Sequence, residues 1–316
     1  MSGQALRIGT RGSELALWQA RHVAERLALL SGAPPAELVV IKTEGDRNTE
    51  QPLSQVPGKA FFTREIEEAL AVGRIELAVH SLKDLATADP PGLMLAAVLA
   101  REDPRDALIA GESIHTLAEL PAGARVGTSS LRRRALLARL RPDLELLELR
   151  GNVPTRIRRL DEGRFDALVL AAAGLKRLQL AHRIGVYLSP EQILPAPGQG
   201  ALAVQVRTDD AETWRWIERL DDPATRRAVT AERACLARLE GGCQVPVGVL
   251  GTCAGTRLIV TGVVCSLDGQ RAVEHRIEGK AATPTEAARL GEVLAEELLA
   301  GGAGEILTAI RSGGRS

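Results

Sequence analysis

The chain has 316 residues, 45% hydrophobic and 25% charged, with 40 basic and 40 acidic side chains and no net charge. That length suggests two or three domains with enough chain to bury real cores, and the composition excludes a disordered or fibrous protein. No run approaches the ~18 consecutive apolar residues of a membrane span, and the opening MSGQALRIGT lacks a basic then apolar secretory pattern, so a cytoplasmic protein without a membrane partner is expected.

The first 100 residues alternate strand and helix patterns. Residues 6–10 read as a short strand. Ser13 is placed to cap a helix running to about residue 30, with Leu15, Trp18, His22 and Leu29 at helical spacing. Residues 38–43 form an apolar strand pattern. Residues 44–59 are polar with Gly and Pro, a loop long enough to suggest a functional role. A helix is predicted over 61–72 and a strand over 75–79, and this alternation argues for a parallel sheet covered by helices.

A related pattern recurs further on. Val126-Gly127-Thr128-Ser129-Ser130 followed by a helix to about residue 140 resembles the stretch from Ile8 to Ser13. Gly163-Arg164-Phe165-Asp166-Ala167 resembles Gly73-Arg74-Ile75-Glu76-Leu77. Either chance or two domains of one architecture accounts for the similarity. Polar breaks fall at Arg101-Glu102-Asp103-Pro104-Arg105-Asp106 and at Pro195-Ala196-Pro197-Gly198-Gln199-Gly200. The last third changes character: a helix over about 223–239, strand patterns over 245–251, 258–264 and 272–278, a turn at Asp268-Gly269, and a helix over 285–299 followed by a short terminal one. That order suggests a small α+β domain.

Charge is unevenly spread. Between Arg125 and Arg177 stand twelve arginines and one lysine against six acids, a local balance of +7 that suits an anionic partner. Aromatic residues are only 2% of the chain, too few for base-stacking platforms, so carboxylates or phosphates on a small molecule fit better than nucleic acid. Arg132 and Arg133 fall in the first turn of a predicted helix, where positive charge opposes the helix dipole and calls for an anionic ligand or a carboxylate partner. Arg150-Gly151-Asn152 and Arg156 repeat the idea; a solvated basic face is the competing reading. His80-Ser81-Leu82-Lys83-Asp84 follows a strand end, where open α/β sheets bind ligands, and Asp84 beside Lys83 reads either as a proton-handling pair or as a surface ion pair. Cys235, Cys253 and Cys265 fall on helix or strand patterns and are expected in cores. Cys243, in Gly241-Gly242-Cys243-Gln244-Val245-Pro246, lies on a turn-rich loop as either a functional or a buried structural thiol. Neither a phosphate-binding glycine loop nor a metal-ligand cluster is present, so no metal is expected.

Together these residues resemble the porphobilinogen deaminase (hydroxymethylbilane synthase) family over nearly the whole chain. The resemblance is carried by Arg7-Ile8-Gly9-Thr10-Arg11, Leu15-Ala16-Leu17-Trp18-Gln19, His80 to Asp84, Arg101 to Asp106, Val126 to Arg133, Leu149 to Asn152, Ala173 to Arg177, Pro197 to Gly200, and Glu232 to Gly248, whose segment from Leu239 to Pro246 matches the family's cofactor-attachment signature. It implies an α/β fold: two periplasmic-binding-protein-like domains around a cleft plus a smaller α+β C-terminal domain. The divisions would be 1–100 with 200–219, then 101–199, then 220–316. It implies tetrapolymerisation of porphobilinogen into hydroxymethylbilane with release of ammonia, by elongation of a dipyrromethane cofactor linked through Cys243, in a cytoplasmic monomer. A cytoplasmic two-domain protein that binds an anionic ligand is the alternative.

Residue by residue, the resemblance implies that Arg11, Ser13, Lys83, Ser130, Arg132, Arg133, Arg150, Arg156 and Arg177 bind pyrrole carboxylates. A bound hexapyrrole would carry about twelve negative charges, matching the basic Arg125–Arg177 region. Thr128, Ser129 and Gly151 would add hydrogen bonds around the cofactor. Gln19, Lys59, Phe62, Ser81, Gln199 and Gly200 would line the site, and Asp84 would be catalytic. The loop over 44–59 would be a lid. The chain departs from the family pattern at Leu85-Ala86, where a proline is common, and at Gln55 and Pro57, where a base and a glycine are expected.

Overall fold

The computed structural model describes residues 5–47, 63–239 and 245–313. By internal contacts it divides into two units, the first made of residues 1–49, 57–102 and 201–226, the second of 50–56, 103–200 and 227–316.

In the first unit the order is β1 (Leu6–Thr10), α1 (Glu14–Ala28), β2 (Ala36–Val40), a short α2 (Glu44–Arg47), α3 (Arg64–Ala71), β3 (Leu77–Ser81) and β4 (Leu93–Val98). In the second unit follow β5 (Asp106–Ala110), β6 (Arg125–Gly127), α4 (Leu131–Leu140), β7 (Glu145–Leu147), α5 (Val153–Asp161), β8 (Ala167–Ala171), α6 (Ala172–Arg177) and β9 (Val186–Leu188). The chain then returns to the first unit with β10 (Leu202–Arg207) and α7 (Ala211–Ile217), and α8 (Pro223–Arg238) belongs to the second unit from residue 227 on. Last come β11 (Val247–Ala254), β12 (Arg257–Cys265), β13 (Ala272–Lys280), α9 (Pro284–Ala300) and α10 (Ala303–Gly313).

The first sheet has the order β2-β1-β3-β10-β4 and the second β7-β6-β8-β5-β9. In each, the first three strands are parallel and the fourth runs antiparallel. The sheets are therefore mixed, which corrects the parallel sheet expected from the β-α-β alternation. The antiparallel strand is the one contributed after or before the excursion into the other unit, so no local pattern announces it.

The two sheets share more than strand order. Arg7 N–H donates to Glu76 Oε2 at 2.8 Å and its guanidinium reaches the Gly73 carbonyl at 2.8 Å. Arg125 N–H donates to Asp166 Oδ2 at 2.7 Å and its guanidinium reaches the Gly163 carbonyl at 3.0 Å. Both glycines sit at φ +72°, a conformation that L side chains resist, so each helix-to-strand turn needs glycine there. These paired turns also explain why β3 starts at Leu77 rather than at Ile75. Ile75 is fully buried, and its Cδ1 lies 2.2 Å from where a Cβ on Gly9 would stand. The equivalent Gly127 would meet Leu168 at 2.8 Å and Phe165 at 2.9 Å.

Ser13 caps α1 by accepting from Ala16 N–H, and Ser130 caps α4 by accepting from Arg133 N–H. β2 begins two residues before the predicted 38, because Ala36 pairs with Leu6 and the register continues to Val40 opposite Thr10. Thr43 then accepts a different duty, donating to Asp46 from both its N–H and its hydroxyl.

The three-stranded antiparallel sheet β11-β12-β13 has its own core with α8, α9 and α10, built on Cys235, Val249, Val260, Leu294 and Leu298. Burying each of those leucines stabilises the unit by about 2 kcal/mol. α9 starts with a capping box, Thr283 with Glu286, and Pro284 at its first position. Among the described residues no helix is long and apolar enough to cross a membrane.

Candidate functional site

In the first unit, the turns that follow β1 and β3 bring together residues far apart in sequence. An open pocket is lined by Arg11, Ser13, Gln19, Thr63, His80, Ser81 and Asp84, with Leu15, Ala16 and Val79 as its apolar wall. Strand ends feeding helices produce this arrangement: the residues after the parallel strands project past the sheet edge, where helix α1 begins.

Each polar wall has a defined partner. Gln19, buried on α1, donates from Nε2 to Ser81 Oγ at 2.7 Å, which locks the serine at the strand end. Arg11 pairs with Asp46, through Nε at 3.1 Å and Nη2 at 2.5 Å to the same oxygen. Burial alone would raise the Asp46 carboxyl, but Arg11 and the Thr43 donors outweigh it and hold it below the usual range. Asp84 ends the short 3-10 turn Leu82–Asp84, which presents its half-buried carboxylate to the pocket; Lys83 is half-buried beside it. His80 was read from sequence as following the strand; it lies in β3 and is buried, and burial pushes its imidazole down to about 4, so it is neutral at physiological pH.

In the second unit, the arginines converge on one carboxylate. Asp106, at the start of β5, has no exposure, and it pairs with Arg132 Nη1 at 2.8 Å and Arg133 Nη2 at 2.7 Å. Burial would raise this carboxyl, but the two guanidiniums outweigh it and hold it far below the usual carboxylate range. The charge that sits awkwardly in the first turn of α4 is thus held by a carboxylate partner. Arg132 also donates to the Leu194 carbonyl, Arg133 to that of Val169, and Gln199 Nε2 to Asp106 Oδ1 at 2.9 Å and to the Pro104 carbonyl at 2.8 Å. Two guanidiniums share one carboxylate, which leaves a buried surplus of positive charge, and Arg132 Nε finds no acceptor among the described residues.

The remaining predicted residues stand around this cluster. Thr128 Oγ1 accepts from Ser130 N–H, and Ser129 Oγ donates to the Leu149 carbonyl. Arg156 Nε donates to the Gly151 carbonyl at 2.7 Å, and the Arg150 carbonyl accepts from Arg159. Arg177 Nη2 donates to the Gly200 carbonyl at 2.7 Å. Gly198 N–H and Gly251 N–H both donate to the fully buried Glu232, at 2.6 and 2.8 Å, which anchors the Pro197-Gly198-Gln199-Gly200 turn to the C-terminal sheet.

Lys59, Phe62 and Cys243 lie outside the described residues, as do Gln55, Pro57 and the loop from 48 to 59. The other three cysteines are not in disulfides, with Cys235 and Cys265 fully buried and Cys253 half-buried. Burial, with Glu232 close by, pushes the Cys235 thiol up to about 12, which makes it a poor nucleophile.

Sequence reasoning did not place Asp106, Thr63 or His80 in the site. Asp106 appeared as the end of a polar break and of one motif carrying the resemblance, without a role. The available signal was a pair of arginines in a helix's first turn, which requires an acid somewhere in the chain without saying where.

Residues 6–215 match the family model described as porphobilinogen deaminase, dipyromethane cofactor binding domain, and residues 226–300 match its C-terminal domain. The porphobilinogen deaminase of Syntrophotalea carbinolica is 50% identical over 310 residues, covering 98% of this chain and 97% of the relative. That of Geobacter sulfurreducens is 49% identical over 310 residues, with 98% and 96% covered. That of Roseiflexus castenholzii is 50% identical over 303 residues, with 96% and 98% covered. Among solved structures, the VFT2 domain of Bordetella pertussis BvgS aligns with a TM-score of 0.41 at 14% identity, over 68% of this chain and 86% of that one.

Proposed function

The chain belongs to the porphobilinogen deaminase family, and from that premise we propose how its own residues carry the reaction. It is a transferase of tetrapyrrole synthesis that joins porphobilinogen units into hydroxymethylbilane with loss of ammonia. Its cofactor is a dipyrromethane, which when bound supplies the pyrrole α-carbon from which growth starts. The residues present fit such a polycarboxylate: the Arg132–Arg133 pair carries a surplus positive charge over Asp106, and Arg132 Nε has no acceptor of its own.

The observation that carries the residue assignments is the first-unit pocket, where Asp84 stands with Arg11, Ser13, Gln19 and Ser81. Asp84 is assigned the catalytic role. Its carboxylate, set against pyrrole N–H groups, stabilises the positive charge that develops as ammonia leaves, and it can shuttle the proton released from the pyrrole α-carbon. Arg11, Ser13 and Lys83 bind substrate carboxylates on this side, with Gln19 holding Ser81 in place. Arg132 and Arg133, fixed by Asp106, act as a preorganised positive field; Ser130, Arg150, Arg156 and Arg177 engage carboxylates, and Thr128, Ser129 and Gly151 donate or accept around the cofactor. Lys59, Phe62, Gln199 and Gly200 are assigned to binding by their match to family positions. Cys243 is the thioether anchor, an assignment supported by its Gly-Gly-Cys-Gln-Val-Pro sequence. Three domains, 1–100 with 200–219, 101–199 and 220–316, are supported by the two five-stranded sheets and the separate three-stranded one. The protein works as a cytoplasmic monomer on porphobilinogen alone, without nucleic acid.

Intact mass with peptide mapping tests the anchor. The wild-type peptide containing Cys243 carries two extra pyrrole units and Cys243→Ser carries none; a normally loaded Cys243→Ser protein refutes the assignment. Asp84→Ala loads with cofactor but loses turnover by a factor of about 100 or more; near-normal turnover removes Asp84 from the mechanism. Porphobilinogen bound reversibly with no covalent gain in mass returns the chain to the anionic-ligand-binding alternative.

A further inference from the structure

Between α3 and the sheet of the first unit lies a group of buried polar side chains that the mechanism above does not use. Thr63, Glu67, His80 and Gln205 have exposures of 1%, 7%, 5% and 0%. Their placement follows from the fold. Thr63 and Glu67 are four residues apart, so they share one face of α3. On the sheet, Gln205 is opposite Ala78 and His80 is opposite Ala203, and the two-residue period of a strand puts all four on one face. Each of the four polar residues keeps a buried atom with no hydrogen-bond partner: Thr63 Oγ1, Glu67 Oε1, His80 Nε2 and Gln205 Oε1. Folded proteins leave few such atoms unsatisfied, and a polar cluster of them marks a place for internal water.

The cluster has two ends. Thr63 and His80 wall the pocket that holds Asp84. Gln205 Nε2 donates to Oδ1 of Asp89, an exposed residue, at 3.3 Å.

Resting on the function proposed above, we propose that Thr63, Glu67, His80 and Gln205 enclose ordered water and form a proton exit path from the pocket to solvent at Asp89. The proton is the one each condensation must release. The aminomethyl group reacts as its ammonium form: the C–N bond breaks and its electron pair leaves on neutral ammonia. A carbon–carbon bond forms to the pyrrole α-carbon, whose C–H bond then breaks, its electron pair returning to the ring. That proton passes to the path, and the ammonia is protonated in bulk water.

The charge environment suits a relay rather than an ion pair. Burial raises the Glu67 carboxyl above its usual value, with Thr63 and Gln205 opposing and Asp89 adding to the rise. Burial lowers the His80 imidazole, Gln205 opposes it, and Arg11 adds to the lowering. A carboxyl with a raised proton affinity and a neutral imidazole, both next to Gln205, can each take and give a proton. The groups facing them are Arg11 from the turn after β1, Asp84 and Asp89 from the segment after β3, and on β10 only Arg207, which is held by Asp210 and the Leu70 and Ile75 carbonyls.

Glu67→Gln keeps the shape and removes the transferable proton. The expected result is a kcat lowered about tenfold or more with KM changed less than about twofold, and recovery of rate when imidazole buffer is added as a small proton carrier. Infrared difference spectra of the unloaded protein provide a readout apart from activity: a protonated carboxylic acid band at neutral pH in wild type, absent in Glu67→Gln. Unchanged kcat, a loss that imidazole does not rescue, or a wild-type spectrum with no protonated acid overturns the relay. If Glu67→Gln does not fold, the wild-type spectrum decides: a protonated carboxylic acid band supports the relay and its absence overturns it. A wild-type protein that makes no hydroxymethylbilane refutes the functional reading, and the relay with it; wild-type turnover matched by Glu67→Gln refutes the relay alone.

Discussion

Replacing Asp106 by Asn is the most severe test of the arginine cluster. Asp106 has no exposure, and its partners Arg132 and Arg133 expose only 3% and 7% of their side chains. Asparagine keeps the volume but removes the charge, and its amide N–H₂ would face a guanidinium donor with no acceptor between them. Two buried cations would then lack a counterion. Removing one partner of a buried ion pair costs about 3–5 kcal/mol, a large share of the ~5–15 kcal/mol that holds a typical domain folded. At roughly 2–4 °C per kcal/mol for 150–250 residues, the melting temperature falls by about 6–20 °C. The probe matters: Trp18, Trp214 and Trp216 all lie in the first unit, so far-ultraviolet circular dichroism in a urea series is the assay, with Tyr187 fluorescence reporting on the second unit. Adding Arg133→Met to Asp106→Asn costs less than the sum of the two single changes, since the second removes a charge the first has stranded. A loss below about 1 kcal/mol for Asp106→Asn refutes the reasoning, because it means the arginines reach solvent without their carboxylate.

Gly291→Ala tests the packing of α9 on α8. Its Cβ would stand 2.0 Å from the Ala231 carbonyl oxygen and 2.8 Å from that carbonyl carbon, both backbone atoms that cannot swing aside. Overpacking of this kind costs about 1–3 kcal/mol or more, beyond the ~1 kcal/mol of helix propensity that alanine returns; a denaturant midpoint equal to wild type or higher contradicts it. The pH dependence of stability follows from His80, whose imidazole falls from 6.5 when unfolded to about 4 when folded. The unfolded state therefore binds a proton that the folded state refuses, and stability is lost as pH drops from 6.5 towards 4, by about 3 kcal/mol. His80→Gln flattens that window in denaturant titrations; an unchanged slope refutes the assignment. Asp103 acts in a lower window. Arg105, opposed by burial and helped by Lys176, holds its carboxyl at about 2, so its stabilisation is present above 3.8 and lost as pH falls towards 2; Asp103→Asn removes that acid-side loss.

Much of this protein is written in short stretches of its sequence. Ser13 is recognisable as a cap because a cap bonds to the third residue after itself, and the structure has that bond. The likeness between Gly73-Arg74-Ile75-Glu76-Leu77 and Gly163-Arg164-Phe165-Asp166-Ala167 is visible in sequence because each encodes one turn with one acid and one positive-φ glycine. Those are local interactions, and local interactions leave local signatures. β10 leaves none: Leu202–Arg207 is apolar like any buried strand, and its place between β3 and β4 depends on chain more than a hundred residues away. The site divides the same way. Asp84 could be nominated from a strand end and its charge, and Arg11, Ser13 and Ser81 from the family resemblance, but their meeting in one pocket is decided by the register of β1 against β3. That Arg132 and Arg133 share the single carboxylate of Asp106 is decided by burial. A charge enters a low-dielectric core only beside its counter-charge, and which acid is brought there is a property of the packed chain rather than of any segment of it.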